Sequence, residues 1–444
     1  MIEISAVISI LFLVLIGFTI VKSFNLLPQV SFLELLPYSF GLGIGFVALQ
    51  LFLYSLLNIK WDIQILIIPW IIFMIMSYFT NRKSINVTLT SLQSFSHSLD
   101  GSKSRAVFSF CALIFSLFAF VIFESQLRPL MAWDGWSSWF LAGKIFYLDQ
   151  GINPQIFSYI ESEYPVIVNL LVSYLFLFIG QVNDKTALLI YPTFYIFLSI
   201  AFFFTLKRYF NTGLSLFFTF LLLSTQNLIR HAGRYEAGQA DIILGFYIFL
   251  SFSLLAKFIN DKRAKTLILL NIMLAISALI KNEGMPFSII LQVITIYYLY
   301  INRNFKLIPY LLIWGIPILS WWFYKNIYGL SVNYIFARGN FELERMGLVV
   351  TEMIKQMLNF QNWNIIWIVF TLSFIVYFFS RKEKIITIGY LIIFSQLFVY
   401  FLIFMITPIN PAAHIQNVMD RLLLHLLPVS VFIIGLVAKD KFAK

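Results

Sequence analysis

Charge is what this chain lacks most. Only 11% of its 444 residues are Asp, Glu, Lys or Arg and 60% are hydrophobic, whereas a soluble domain carries about a quarter charged residues and is about half apolar. A water-soluble globule is thereby excluded. Cysteine is nearly absent: Cys111 stands alone inside an apolar run, which rules out an intrachain disulfide and a cysteine-based metal cluster. The four histidines include no close pair, so a metal site built on imidazoles is not expected. The net charge of +11 is scattered in groups of two to four between apolar stretches. Without a long basic run it reads as a topology signal and not as a nucleic-acid footprint. No internal repeat is visible.

What fills the chain is membrane sequence. Runs long enough to span a bilayer, or nearly so, occur at residues 5–22, 37–57, 62–80, 106–124, 186–206, 214–229, 240–256, 266–280, 285–301, 307–323, 364–380, 385–405 and 421–438, which predicts an all-α, polytopic protein of about thirteen spans. The first run has Glu3 where a signal peptide would have a basic region, so it is read as a retained span. The apolar stretch from Tyr164 to Gly180 is the exception. If it crossed, the basic clusters before and after it could not share a side; as an interfacial or re-entrant segment it lets them all face the cytoplasm, as the positive-inside rule requires. The cytoplasmic side then holds 19 of the 31 Lys and Arg but only 5 of the 20 Asp and Glu.

With that orientation every polar, motif-like stretch falls on the external side: the loops 125–185 and 325–363, the turn 230–241, and the links 281–284 and 407–421. Loops as long as the first two are uncommon unless functional. The first opens with Asp134 between Trp133 and Trp136, a carboxylate placed to accept a proton from an alcohol or to orient a sugar; the alternative is a helix-capping Asp in an interfacial aromatic belt. It closes with Glu163-Tyr164-Pro165, either a second carboxylate of a site or an acidic residue at the positive end of a helix that Pro165 opens. Arg230 and Arg234 share one turn, and guanidinium forks suit phosphate. Asp241 enters an apolar run, where an ionisable group is a functional candidate unless it is paired structurally to Arg234. Lys281 could neutralise a phosphate with Glu283 orienting it, or both could satisfy helix ends. His414, Arg421 and His425 are weaker signals.

In their order and common side these residues resemble the polyprenyl-phosphate-dependent membrane glycosyltransferases of the GT-C superfamily, the group of protein O-mannosyltransferases and lipid A aminoarabinose transferases. The likeness runs from about residue 106 to the C-terminus and rests on Asp134 in the first external loop, Tyr164-Pro165, Asp241 at a helix start, Lys281-Asn282-Glu283-Gly284, and Arg421 with Pro428 in the last span. Gly135 and Val166 stand where the mannosyltransferase branch has Glu and a second Pro. The resemblance implies a membrane domain over 106–444, preceded by three additional helices and a cytoplasmic linker in 1–105. It also implies cell-envelope glycan biosynthesis at the external face of a bacterial cytoplasmic membrane. Inverting transfer from a lipid-phosphate sugar to a hydroxyl on a glycan, lipid or protein would use Asp134 as base, with Glu163 or Asp241 as second carboxylate. Arg230, Arg234, Lys281 and Arg421 would hold the donor phosphate, Glu283 would orient, and Trp133, Trp136 and Tyr164 would face sugar or interface. No obligatory metal or other cofactor is expected, because cationic side chains are available; a divalent ion on Asp134 and Asp241 stays open. The alternative is a non-enzymatic transporter or flippase for a polar lipid, which would favour ionisable groups near midplane and a repeated half. Orientation is testable directly: a cysteine placed at Ser331 is labelled from outside by an impermeant thiol reagent and one at Ser102 is not. Reversed labelling overturns the topology.

Overall fold

The computed structural model of the chain describes residues 2–28, 30–80, 105–158, 164–330, 341–379 and 383–442. Glu163, Ser102 and Ser331 lie outside them. Hydrocarbon offers the backbone no partner, so segments this apolar close their hydrogen bonds internally as helices. Helices α1 (Ile2–Ser23), α2 (Phe32–Leu56) and α3 (Ile63–Thr80) precede α4 (Arg105–Leu127). The loop after α4 carries a π-helical turn (Gly135–Trp139), α5 (Phe140–Asp149), a 3-10 turn (Pro154–Ser158), α6 (Ile167–Ile179) and α7 (Asp184–Ala187), which runs on into α8 (Ile190–Lys207). Then follow α9 (Thr212–Leu223), α10 (Gln226–Gly233), α11 (Asp241–Asp261), α12 (Ala264–Ala278), α13 (Gly284–Ile301) and α14 (Leu312–Ile327). The second long loop holds α15 (Met346–Met357) and α16 (Phe360–Trp363); α17 (Ile366–Phe378), α18 (Lys384–Ile406) and α19 (Pro411–Phe442) complete the chain. Among the described residues no strand occurs. Among the described residues ten helices are long and apolar enough to cross a membrane, or eleven if α9 and α10 form one span, which makes this an all-helical, multi-pass membrane protein.

The run expected to be continuous over 214–229 is in fact broken: α9 and α10 meet at 70°. The polar sequence Ser224-Thr225-Gln226-Asn227 supplies the reason, since Ser224 caps one helix and Thr225 begins the next. Contacts sort the helix termini into two ends. At one end Glu34 of α2 pairs with Arg208 after α8 at 2.6 Å, and Thr266 of α12 bonds Asp261 of α11. At the other end the termini of α4 and α10 meet through Glu124 and Arg234, and the start of α11 and the turn before α13 meet the middle of α19 through Asp241, Lys281 and His425. The shorter α12 and α17 join the same two ends.

Helix α6 does not. Its thirteen residues measure about 20 Å at 1.5 Å per residue, the same as α17, and its flanking contacts are what set it apart. Tyr164 before it packs on Trp139, and Asp184 after it bonds Lys144 of α5 at 2.6 Å, so the chain enters and leaves on the side of the second cluster. Asn169 and Ser173 fix α6 to the carbonyls of Trp139 and Gly143, and Tyr174 donates to the Ser9 carbonyl of α1. Pro165 does not occupy the first helical turn as expected; it precedes the cap residue Val166.

Between helices in lipid, dispersion and close approach replace the hydrophobic effect. At Gly43 an added Cβ would lie 2.0 Å from the Leu13 carbonyl oxygen, so α1 and α2 touch backbone to backbone. Tyr247 of α11 donates to the Gly41 carbonyl and Tyr38 bonds Ser253, which builds α2 into the same bundle as the later helices. Helices α11 and α19 sit at its centre, almost wholly buried, while α3, α4 and α14 are mostly exposed toward lipid. Accessibility reporters at Asn153 and Asn183 are expected on one side of the membrane. Their appearance on opposite sides would mean that α6 crosses.

Candidate functional site

Two stretches far apart in sequence meet through glycines. Gly135 and Gly238 approach so closely that a Cβ on Gly135 would lie 3.2 Å from the Gly238 carbonyl, and Gly238 has φ of +115°, a conformation side chains disfavour. That contact brings the first residue of the π-helical region beside the turn before α11, and α19 supplies the third partner. Asp134 pairs with Arg421, whose Nη1 also reaches Gln239 at 3.4 Å. Asp134 has no side-chain cap bond, so the capping role is not what holds it. Its carboxylate is 33% exposed. Trp133 and Trp136, on either side of it in sequence, pack on each other at 4.4 Å and stay 67% and 46% exposed.

Below that pair lies a buried one. Asp241, at the first turn of α11, accepts at Oδ1 from Lys281 Nζ and from His425 Nε2, each at 2.9 Å. Its pairing to Arg234, the structural alternative, is not found. A carboxylate only accepts, so the His425 proton sits on Nε2 and Nδ1 takes the Tyr400 hydroxyl at 3.4 Å. Lys281 lies 3.2 Å from Glu283, whose backbone carbonyl accepts from Gln396 of α18. The ammonium loses hydration by burial, but Asp241 and Glu283 outweigh that loss and hold the Lys281 pKa above the ordinary lysine value. A folded value above the unfolded one means the pair's stabilisation is complete at neutral pH and disappears only above the usual lysine range. Arg421 and His425 are four apart on α19 and share a face, which joins the two layers; Arg421 lies within electrostatic range of Asp241 and of Tyr164.

The remaining cations divide. Arg230 bonds Glu236 at 3.0 Å and Asn362 at 2.8 Å and lies 3.6 Å from Asp420. Gln239 links Glu236 back to Arg421. Arg234 turns elsewhere, to Glu124 of α4. Thus Asp134, Asp241, Lys281, Glu283 and Arg421 form one contiguous polar core with Tyr164 at its edge; Arg230 adjoins it through Gln239, and Arg234 stands outside. Glu163 is among the residues not described. From sequence His425 was only a weaker signal, and Asp420, Asn362, Gln239 and Tyr400 were not singled out for the site. For His425 the signal existed, a spacing of four from Arg421; for Asn362 and Tyr400 there was none. His231, fully buried on α10, has no hydrogen-bond partner in the structure on either ring nitrogen.

Beside the polar core an apolar groove of about 310 Å³ opens between α2, the start of α6, α12 and α14. Phe46 and Phe52, Pro165, Ile276, Pro317 and Trp321 form its walls. Pro165 directly follows Tyr164, and Leu279 in the same wall lies two residues before Lys281. Among the described residues no group of three or more His, Cys, Asp or Glu could hold a metal ion. No family model matches the chain, and neither a curated protein nor a solved structure is similar enough to count as a match.

The buried pair gives a stability test. Lys281→Met strips Asp241 of one of its two donors and should cost about 3–5 kcal/mol, the usual penalty for orphaning a buried charge, whereas adding Asp241→Asn should recover most of it. Unfolding of the purified single and double variants in detergent measures this. A Lys281→Met protein as stable as the wild type would show that the pair does not hold the helices together.

Proposed function

We propose that the chain is an integral-membrane glycosyltransferase that moves a sugar from a lipid-phosphate donor to an acceptor hydroxyl. The observation that carries this reading is the meeting of Asp134 and Arg421, from the first long loop and the last helix, together with an apolar groove whose wall includes Pro165, the residue after Tyr164. A lipid-borne donor needs all three parts: a groove for its chain, a cation for its phosphate and a carboxylate for the incoming hydroxyl. Of the residues quoted for the GT-C likeness, Asp134, Asp241, Lys281, Glu283 and Arg421 form the polar core and Tyr164 lies at its edge. On this reading about thirteen spans cross, and the core faces the exterior of a bacterial cytoplasmic membrane.

The reaction follows from the pairing. With no substrate, Arg421 is neutralised by Asp134. A phosphate offers the guanidinium a better partner, because two of its oxygens match the fork. Exchange of Arg421 from Asp134 to the phosphate frees the carboxylate as a base. The acceptor oxygen then attacks the anomeric carbon from the face opposite the phosphate, its proton passes to Asp134, and the bond from carbon to phosphate oxygen breaks. Charge that grows on the leaving phosphate is met by Arg421 and, behind it, by Lys281. Configuration inverts because a single displacement occurs. Asp241 is spent on Lys281 and His425 and serves to place them.

An ionisable set confined to one end of the bundle favours chemistry at a surface over a conduction pathway through midplane. Asp134→Asn keeps size but removes basicity, and transfer from a lipid-phosphate sugar by the purified protein should fall by about two to four orders of magnitude with donor binding retained. Near-normal transfer would remove Asp134 from the role of base.

A further inference from the structure

The ends of α4 and α10 form a corner that the proposed reaction does not use. Glu124 accepts from Arg128 Nε at 2.9 Å and faces Arg234 Nε at 3.3 Å, so two guanidinium groups share a single carboxylate and one positive charge is left over. The ring of Tyr235 stands beside Arg234 at 5.7 Å and beside Arg230 at 5.0 Å and is 36% exposed. Glu236 and Asp420 do not neutralise that charge, because Arg230 already engages both of them. Arg128 and Arg234 both keep part of their side chains open to the outside.

The position matters as much as the charge. Helix α4 is an outer helix whose Phe115, Phe123 and Leu127 are exposed, so the corner lies at the rim of the bundle, at the level where a lipid headgroup meets protein. It is also on a different flank from the groove: α4 packs on α8, α9 and α10, while the groove lies among α2, α6, α12 and α14. Basic clefts between helices at the interface select anionic headgroups, and two guanidinium forks match the oxygens of a phosphate better than they match one shared carboxylate.

We propose that this corner is a second anion site, which holds the phosphate headgroup of a lipid distinct from the one in the groove, with Glu124 as the internal competitor that the phosphate displaces. Its service as the seat of a lipid-borne acceptor rests on the transferase reading; the binding itself does not. Two lipid substrates would then approach the Asp134 and Arg421 centre from separate flanks, one with its chain in the groove and one by its headgroup at the rim.

Binding is measured without turnover, on the full chain in phosphatidylcholine nanodiscs, with short-chain phosphatidic acid as the phosphate probe and phosphatidylcholine of equal chain length as control. Phosphatidic acid should bind in preference to the control, and Arg128→Ala with Arg234→Ala should weaken it about tenfold, the scale of a lost charge-assisted contact. Glu124→Gln should tighten it several-fold, a gain that a damaged fold would not produce. Inorganic phosphate that fails to compete supports a lipid source; equal competition by inorganic phosphate overturns it. No preference for phosphatidic acid, or a Glu124→Gln protein that binds no tighter, overturns the site. Either failure leaves the role of Asp134 untouched, because that role is read from transfer.

Discussion

An ionised carboxylate buried at the end of a helix bundle must be given partners or it will not stay ionised. Asp241 is 1% exposed, and the need to satisfy it organises this end of the molecule. Lys281 comes from the turn between α12 and α13, His425 from α19, and Tyr400 behind His425 from α18. One carboxylate thus fixes the start of α11 and the turn between α12 and α13 against α18 and α19. The Arg421 guanidinium stands one helical turn from His425 because of it, and Asp134 finds Arg421 there. A shift of α19 by a single residue would break both layers at once.

The lipid surroundings explain why so much of the structure is settled by close approach. Helices gain little by hiding apolar surface from other apolar surface, so contacts such as Gly43 against the Leu13 carbonyl and the hydrogen bonds of Tyr38, Tyr174 and Tyr247 do the sorting that burial does in water. The same constraint accounts for α6. Buried among α1, α2 and α5, it is held by protein contacts on both flanks, through Tyr164 on Trp139 and Asp184 on Lys144.

Charge balance in the polar core has a chemical meaning. Each cation that phosphate chemistry would require already has a carboxylate beside it: Arg421 has Asp134, Lys281 has Asp241 and Glu283, Arg230 has Glu236. Three cations thus face four carboxylates, no cation is left uncompensated when the site is empty, and an anion enters by exchange with an internal carboxylate. In the proposed reaction that exchange couples arrival of the donor to release of the base, so the basic form of Asp134 is available when there is something for it to act on.

Composition and spacing alone determined the membrane class, the helical fold and the gathering of polar residues on one side, because a bilayer punishes every unsatisfied polar group and so writes its constraint into the sequence residue by residue. The same logic indicated that residues 164–180 turn back: charge placement on both flanks demanded it. Asp134, Asp241, Lys281 and Arg421 were each visible as anomalies for the same reason. Their pairing was not. Whether Asp241 meets Arg234 or Lys281 depends on how α10, α11 and α13 rotate and on the 70° break between α9 and α10, and no local pattern encodes a rotation. The division of Arg230 from Arg234, four residues apart in one turn, was likewise decided by tertiary structure. Arg230 points to Glu236 and Asp420, and Arg234 to Glu124 at the far end of α4. Pairing in a low-dielectric interior is chosen by distances of a few ångströms between segments remote in sequence, and only the packed bundle sets those distances.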